Sequence, residues 1–310
     1  MLAMAHDAVI DWLLSGDPAI RWQTLRDLAG RPHAREQGRV ATEGWGSRLL
    51  ALQDKDGRWS GGLYTPKWTS TTYTMLLLRD LGLAPCYPAI ERVCRLLLDK
   101  GYWRDGGINF YVDRAARSET CITAMVLALS AWGGVKDERL AALARHLRDA
   151  QMADGGWNCR ALPGGGGAAH GSFHTTILAL EALREWDPRA SGEMRALGEE
   201  FLLQHRLFRS HRTGKIAKTD FTRFHFPPRW HYDVLRGLDY FRAAGCARDS
   251  RLQDAIDLVH SRRQADGRWL LAPGYPGKMF FELERVGEAS RWNTLRALRV
   301  LRWFEAERAE

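Results

Sequence analysis

The run Gln53-Asp54-Lys55-Asp56-Gly57-Arg58-Trp59 recurs as Gln151-Met152-Ala153-Asp154-Gly155-Gly156-Trp157. It returns as Arg263-Gln264-Ala265-Asp266-Gly267-Arg268-Trp269, with the glutamine slipped one place. A worn copy, Asp105-Gly106-Gly107-Ile108, has lost its Trp. Asp56, Asp105 and Asp154 stand 49 residues apart, and Asp266 follows Asp154 by 112, two intervals of 56. Leu202-Leu203-Gln204 falls in that gap as a copy without a turn. A fixed period of this length means stacked supersecondary units, each burying its apolar face on the next.

Each unit reads as a helix pair. Before each turn runs a stretch such as 140–151, with apolar residues at spacings of three and four. After it come a loop and a second, more apolar helix, and the second helices align as 20–28, 72–81, 121–132, 173–183, 230–241 and 290–301. Arg21-Trp22-Gln23-Thr24-Leu25-Arg26 nearly repeats as Arg291-Trp292-Asn293-Thr294-Leu295-Arg296, 270 residues later. Six inner helices and a similar number of outer ones predict an all-α fold. The expectation is one domain over residues 1–310, a single (α/α)6 toroid in which a double ring of helices surrounds an aromatic-lined central cavity. In the turn, Asp-Gly supplies the positive φ that ends the outer helix. The Trp is expected to wedge between units, and the Gln amide to satisfy helix-end groups.

Gln-x-x-Asp-Gly-x-Trp at this period resembles the tryptophan-glutamine repeat of squalene–hopene cyclases and of protein prenyltransferase β subunits, over essentially the whole chain. The resemblance implies an α/α toroid whose inner helices point their N-termini toward a central cavity. It also implies a hydrophobic isoprenoid substrate, with or without a diphosphate. Cyclases of that type protonate an alkene through Asp-x-Asp-Asp, which this sequence lacks; Asp54-Lys55-Asp56 is the nearest string and belongs to a turn. The prenyltransferases bind zinc through Asp-x-Cys at the start of one inner helix and a His at the start of a later one. Glu119-Thr120-Cys121 and Trp230-His231-Tyr232-Asp233 are the matching positions, with Glu in place of Asp and two repeats between Cys and His.

Without the family, the same region still holds the most chemistry. Aligning the inner helices on their apolar runs brings Cys121, Cys159, His174 and His231 toward one rim, with Glu119 and His170 beside them. Two thiolates plus two imidazoles suit tetrahedral zinc. The same set suits a Cys–His nucleophile pair, and plain packing is the third reading. Cys86, Cys94 and Cys246 have no such company and read as inert. The Gly164–Gly167 run lacks a Gly-Lys-Ser/Thr ending and reads as a loop at the cavity mouth.

Charge adds a second feature. The chain carries 45 Lys and Arg against 37 Asp and Glu, a net +8, which favours anionic partners. Seven of those cations (Arg206, Arg209, Arg212, Lys215, Lys218, Arg223 and Arg229) fall between Gln204 and His231 against Asp220 alone, with Phe208, Phe221, Phe224, Phe226 and Trp230 among them. This segment reads either as an anion-binding lid or as a solvated loop. Arg21, Arg229 and Arg291, each beside a Trp, are the expected anion clamp. Trp22, Tyr73, Trp230, Tyr232 and Trp292 are the expected aromatic substrate contacts, since aromatic faces favour carbocations. No groove-reading motif accompanies the charge, so no nucleic-acid partner is expected. Five cysteines without close pairing suggest reduced thiols and a cytoplasmic setting. No apolar run approaches the roughly 20 residues that span a bilayer, which leaves peripheral membrane contact open. The acidic first residues lack the basic start of a signal peptide.

The expected function is a terpenoid cyclase- or prenyltransferase-like enzyme. Two alternatives stand beside it: a non-catalytic toroid binding a lipid or peptide, and a zinc enzyme acting on an unrelated substrate.

Overall fold

The computed structural model describes residues 2–31, 33–85, 87–111, 117–159 and 168–306. Cys86 and the Gly164–Gly167 run lie outside the described residues. Thirteen α-helices follow one another: α1 (Leu2–Leu14), α2 (Pro18–Asp27), α3 (Ala34–Gly38), α4 (Gly44–Leu50), α5 (Thr71–Leu81), α6 (Pro88–Gly101), α7 (Thr120–Trp132), α8 (Arg139–Ala150), α9 (Phe173–Trp186), α10 (Gly192–Gln204), α11 (Val234–Ala243), α12 (Gln253–Ser261) and α13 (Arg291–Glu305). Short 3-10 turns and one two-residue antiparallel pair, β1 (Trp269–Leu270) with β2 (Ala289–Ser290), complete the described chain.

The molecule is an all-α toroid. α5, α7, α9, α11 and α13 pack in succession, and α13 returns to α2. The α2–α5 seam is closed by Gln23 Nε2 donating to the Asp80 carbonyl at 3.0 Å and Gln37 Nε2 donating to that of Gly82 at 3.2 Å. α1, α4, α6, α8, α10 and α12 stand against this inner ring. Burial follows the layer. On α7 every residue from Ile122 to Ser130 is buried, as expected of a helix enclosed on all sides. On outer α8 only Leu140, Leu143, Ala144 and Leu147 are buried, a single stripe.

The turns behave as one repeated device. Gly57, Gly106, Gly155 and Gly267 all have φ between 81° and 85°. Trp59, Trp157 and Trp269 are fully buried. Each indole N–H donates to a carbonyl near the end of the preceding outer helix: Leu49 at 2.8 Å, Leu147 at 2.7 Å and Val259 at 2.8 Å. Each Trp backbone N–H donates to a threonine hydroxyl on the following inner helix, Thr71, Thr176 or Thr294. The worn copy keeps this link through Ile108 N–H and Thr123. Two glutamines differ from expectation. Gln53 and Gln151 hold the turn itself, donating to Gly57 and Gly155 carbonyls, whereas Gln264 keeps the expected role and donates to the Arg262 carbonyl at the end of α12.

Two expectations are corrected. The fifth inner helix begins at Val234, not at Trp230, because the Asp233 carboxylate caps it by accepting the Arg236 N–H at 2.7 Å. The cavity on the ring axis, about 490 Å³ and bordered by all six inner helices, is not chiefly aromatic. Trp22, Trp132 and Trp292 border it, but so does a network of ion pairs. Arg236 clamps Glu181 with two bonds of 2.7 and 2.8 Å, Arg79 reaches Glu181 at 3.4 Å, and Arg299 bridges Asp27 and Asp239. The charged positions come from α2, α5, α9, α11 and α13, and only closure of the ring turns them toward one axis.

Candidate active site

The worn turn positions the first functional group. Glu119 stands at the N-cap of α7, its N–H bonded to the Ile108 carbonyl at 3.1 Å and its own carbonyl accepting the Thr123 hydroxyl at 2.9 Å. Cys121, in the first turn of α7, places Sγ 3.7 Å from Glu119 Oε2. Cys159 arrives from the next repeat. It follows Trp157, whose carbonyl accepts the Ser172 N–H at 2.7 Å, and its Sγ lies 3.8 Å from the Thr175 hydroxyl on α9. The reactive atoms of Glu119, Cys121 and Cys159 all lie within 4.8 Å of one another, and no other group of three potential metal ligands does so among the described residues.

The electrostatics couple the three. Cys121 is raised well above an ordinary thiol, first by its hydrogen bond to Cys159, then by burial and the Glu119 charge. Cys159 is lowered, chiefly by accepting that hydrogen bond. Burial raises Glu119, partly offset by its bond with Cys121 and by Lys67. The hydrogen bond therefore favours the proton on Cys121 over Cys159, and burial pushes the neighbouring Glu119 in the same upward direction as Cys121.

An aromatic wall adjoins the thiols. Tyr64 meets Tyr73 at 5.2 Å between ring centroids, Tyr111 at 5.7 Å and Phe110 at 6.2 Å. Trp68 stands edge-on to Tyr73 at 4.9 Å, and Lys67 lies over the rings of Trp68 and Trp230 at 5.6 and 5.4 Å. Trp68 is pinned from the far side of the chain: its indole N–H reaches the Tyr275 and Pro276 carbonyls at 3.2 and 3.0 Å. The indole leaves no room for a side chain at Gly277, where a Cβ would lie 2.3 Å from the ring. Tyr64, Lys67, Trp68, Phe110 and Tyr275 were not singled out by the repeats. Their signal was positional, since each lies in a loop between a turn and the inner helix that follows it.

The histidines do not join the thiol group. His174 Nδ1 accepts the Tyr232 N–H at 2.8 Å, and burial pushes its pKa down to about 4. His231 is sandwiched between Trp230 at 3.7 Å and Tyr275 at 3.2 Å, and burial pushes it down to about 2. The two rings stand 5.5 Å apart, both neutral near pH 7, and no hydrogen bond links either to a thiol among the described residues. His170 is exposed and lies 3.0 Å from Arg212. Cys94 and Cys246 are pushed up to about 12 by burial, in keeping with inert thiols.

The three-arginine clamp does not assemble. Arg21 pairs with Glu36 at 2.5 Å, and Arg291 lies over the Trp12 ring at 4.5 Å and donates to the Trp12 carbonyl. Both are held near Gly16, whereas Arg229 lies over Trp68. The same seam fixes their neighbours: Trp22 packs against Gly82 and Trp292 stacks on Phe226 at 4.1 Å, both on the central cavity. Tyr232 is fully buried and donates its hydroxyl to the Leu207 carbonyl at 2.7 Å, a packing role. Tyr73 belongs to the aromatic wall, and Trp230 lies at its edge.

No family model matches the chain, and no curated protein matches it in sequence. Among solved structures it is similar to the type II terpene cyclase MstE from Scytonema, with a TM-score of 0.50 and 15% identity over 97% of each chain. A variant of that cyclase in complex with geranylgeranyl dihydroxybenzoate gives a TM-score of 0.49 at 16% identity, covering 98% of this chain and 97% of that one. The first of these likenesses establishes the toroid fold. Among the described residues, no helix is long and apolar enough to cross a membrane.

Proposed function

We propose that this protein is a terpenoid cyclase- or prenyltransferase-like enzyme acting on a hydrophobic, isoprenoid-type substrate, with Glu119, Cys121 and Cys159 as its reactive centre. The observation that carries the reading is the convergence of those three groups beside the Tyr64–Tyr73–Trp68 wall. The toroid fold agrees with it, and so does the wall, whose π faces exclude water and stabilise developing positive charge by roughly 0.5–2 kcal/mol each.

Zinc fits the donor set. Two sulfurs and a carboxyl oxygen within 4.8 Å of one another are donor types that zinc takes. Bound there by Glu119, Cys121 and Cys159, zinc would supply Lewis acidity and hold both sulfurs as thiolates. The protein's own part is to keep the pair dry. Cys121 donates its hydrogen bond to Cys159, Thr175 supports Cys159, and burial raises Glu119 against the opposing pull of Cys121 and Lys67.

Elemental analysis and turnover test this together. Protein purified without added metal is expected to carry near-stoichiometric zinc and to consume geranylgeranyl or farnesyl diphosphate, followed by mass spectrometry. Cys121→Ser and Cys159→Ser are expected to lose both metal and turnover, whereas His231→Ala keeps the metal. Full activity in both thiol variants would overturn the assignment of the centre.

A further inference from the structure

A second cavity, of about 220 Å³, lies on the other walls of Trp68. Leu77 of α5, Phe226 of the basic segment and Leu271, Phe280 and Leu283 of the loop between β1 and β2 make it apolar. One cation lines it. Arg229 lines the cavity, its guanidinium 5.0 Å from the Trp68 ring centroid, and the guanidinium's sole hydrogen bond among the described residues goes to the Trp68 carbonyl at 3.2 Å. Among the described residues no carboxylate lies within ion-pair reach of it, in contrast to Arg79, Arg236, Arg296 and Arg299 on the ring axis, which are all paired.

The acids on the same cavity do not supply the missing partner. Glu284 is committed to the start of α13, accepting the Ser290 hydroxyl at 2.5 Å and the Arg291 N–H at 2.6 Å, and Glu282 is exposed. The Tyr275 hydroxyl, on the same wall, is buried without a hydrogen-bond partner among the described residues. Arg229 also holds an unfavourable backbone, with φ of 58°. Burial lowers its pKa to about 10, which leaves it charged at neutral pH. A bare charge and a strained backbone at one residue are costs that a ligand site explains and a packing site does not.

We propose that this cavity binds a small amphiphilic monoanion, a carboxylate whose head pairs with Arg229 and whose apolar body lies among Leu77, Phe226 and Phe280. One guanidinium balances one negative charge and matches a carboxylate in fork geometry, whereas a phosphate dianion would leave charge unpaired. The volume sets the body. A cavity of about 150 Å³ holds benzene, so about 220 Å³ takes a body of roughly ten carbons.

The inference rests on the reading of this end of the ring as the substrate end, but its test is binding alone. Calorimetry of the full chain with geranic acid, geraniol and geranyl phosphate is expected to show geranic acid binding at least about tenfold more tightly than geraniol. Arg229→Met is expected to abolish that preference while the melting temperature is retained. Equal affinity for acid and alcohol in the wild type would overturn the proposal whatever the variant does. So would tighter binding of geranyl phosphate, or no binding of any of the three. The same titration in Cys121→Ser separates the two readings: retained acid binding supports the cavity assignment even where turnover is absent from the wild type.

Discussion

A tryptophan whose indole N–H closes a helix while its ring fills the gap between units does two jobs at once, and Trp157 is the fullest case. Its ring is fully buried, and it bonds the Leu147 carbonyl of α8 and the Thr176 hydroxyl of α9. Trp157→Ala should therefore cost about 3–5 kcal/mol, as large-to-small changes in a core do. Trp157→Phe keeps most of the packing and strands a carbonyl, which should cost about 1–3 kcal/mol. Urea denaturation measures both, and an alanine variant within 1 kcal/mol of wild type would remove the turn from the list of structural supports. The residue scale also explains why Arg229 differs from its neighbours. Arg206 and Arg209 share Asp254, Arg223 reaches Asp220, and Phe221 and Phe224 turn inward, so most of the basic segment is a packed loop with a solvated charged face.

Between elements, the repeat is held by close approach. Gly198 of α10 faces Trp157, and a Cβ there would lie 2.5 Å from the indole and 3.0 Å from Leu180. Alanine is the better helix former by about 1 kcal/mol, yet overpacking costs about 1–3 kcal/mol, and the second effect should win. Gly198→Ala is thus expected to lower the melting temperature. An unchanged or raised value would show that α10 does not rest on the Trp. The start of α11 makes the same point about elements. Its apolar pattern extends back to Trp230, but Pro227-Pro228, the positive φ of Arg229 and the Asp233 cap delay the helix to Val234. That delay takes His231 off the helix and into its stack between Trp230 and Tyr275.

Over the whole molecule, ion pairs across the axis tie helices that are distant in sequence. Glu181 of α9 is held to Arg236 of α11 and Arg79 of α5, and although burial opposes ionisation, the arginines win and hold its carboxyl down to about 2. An ordinary Glu, in the unfolded chain, titrates near 4.3. The folded pKa is depressed, so this stabilisation is complete above the unfolded value and is lost as pH falls from there toward 2. The melting temperature should fall over that window, and Glu181→Gln should flatten the fall. A wild-type and variant pair with parallel pH profiles would show that the axial network does not contribute. Arg236→Met should be severe, about 3–5 kcal/mol, because it removes the bidentate partner of buried Glu181 and leaves only the longer Arg79 contact.

The periodic Asp-Gly-Trp turns, the helix pairs and the toroid were legible because their causes are local: a positive φ at glycine, an apolar spacing, a motif that returns every 50 residues or so. Part of the candidate site was legible for the same reason. Glu119 and Cys121 begin one inner helix and Cys159 follows the next turn, so neighbouring repeats bring them together. Tertiary structure decided the rest. Whether His174 and His231 reach the thiols depends on where α11 starts and which rings cover it, and both are settled by neighbours remote in sequence. Whether an arginine is a clamp or a brace depends on its partner. Arg21 and Arg291 find theirs in Glu36 and the end of α1, while Arg229 faces an apolar wall assembled from three separate stretches of chain. A charge reveals its role only through the charge opposite it, and what lies opposite is fixed by closure of the ring.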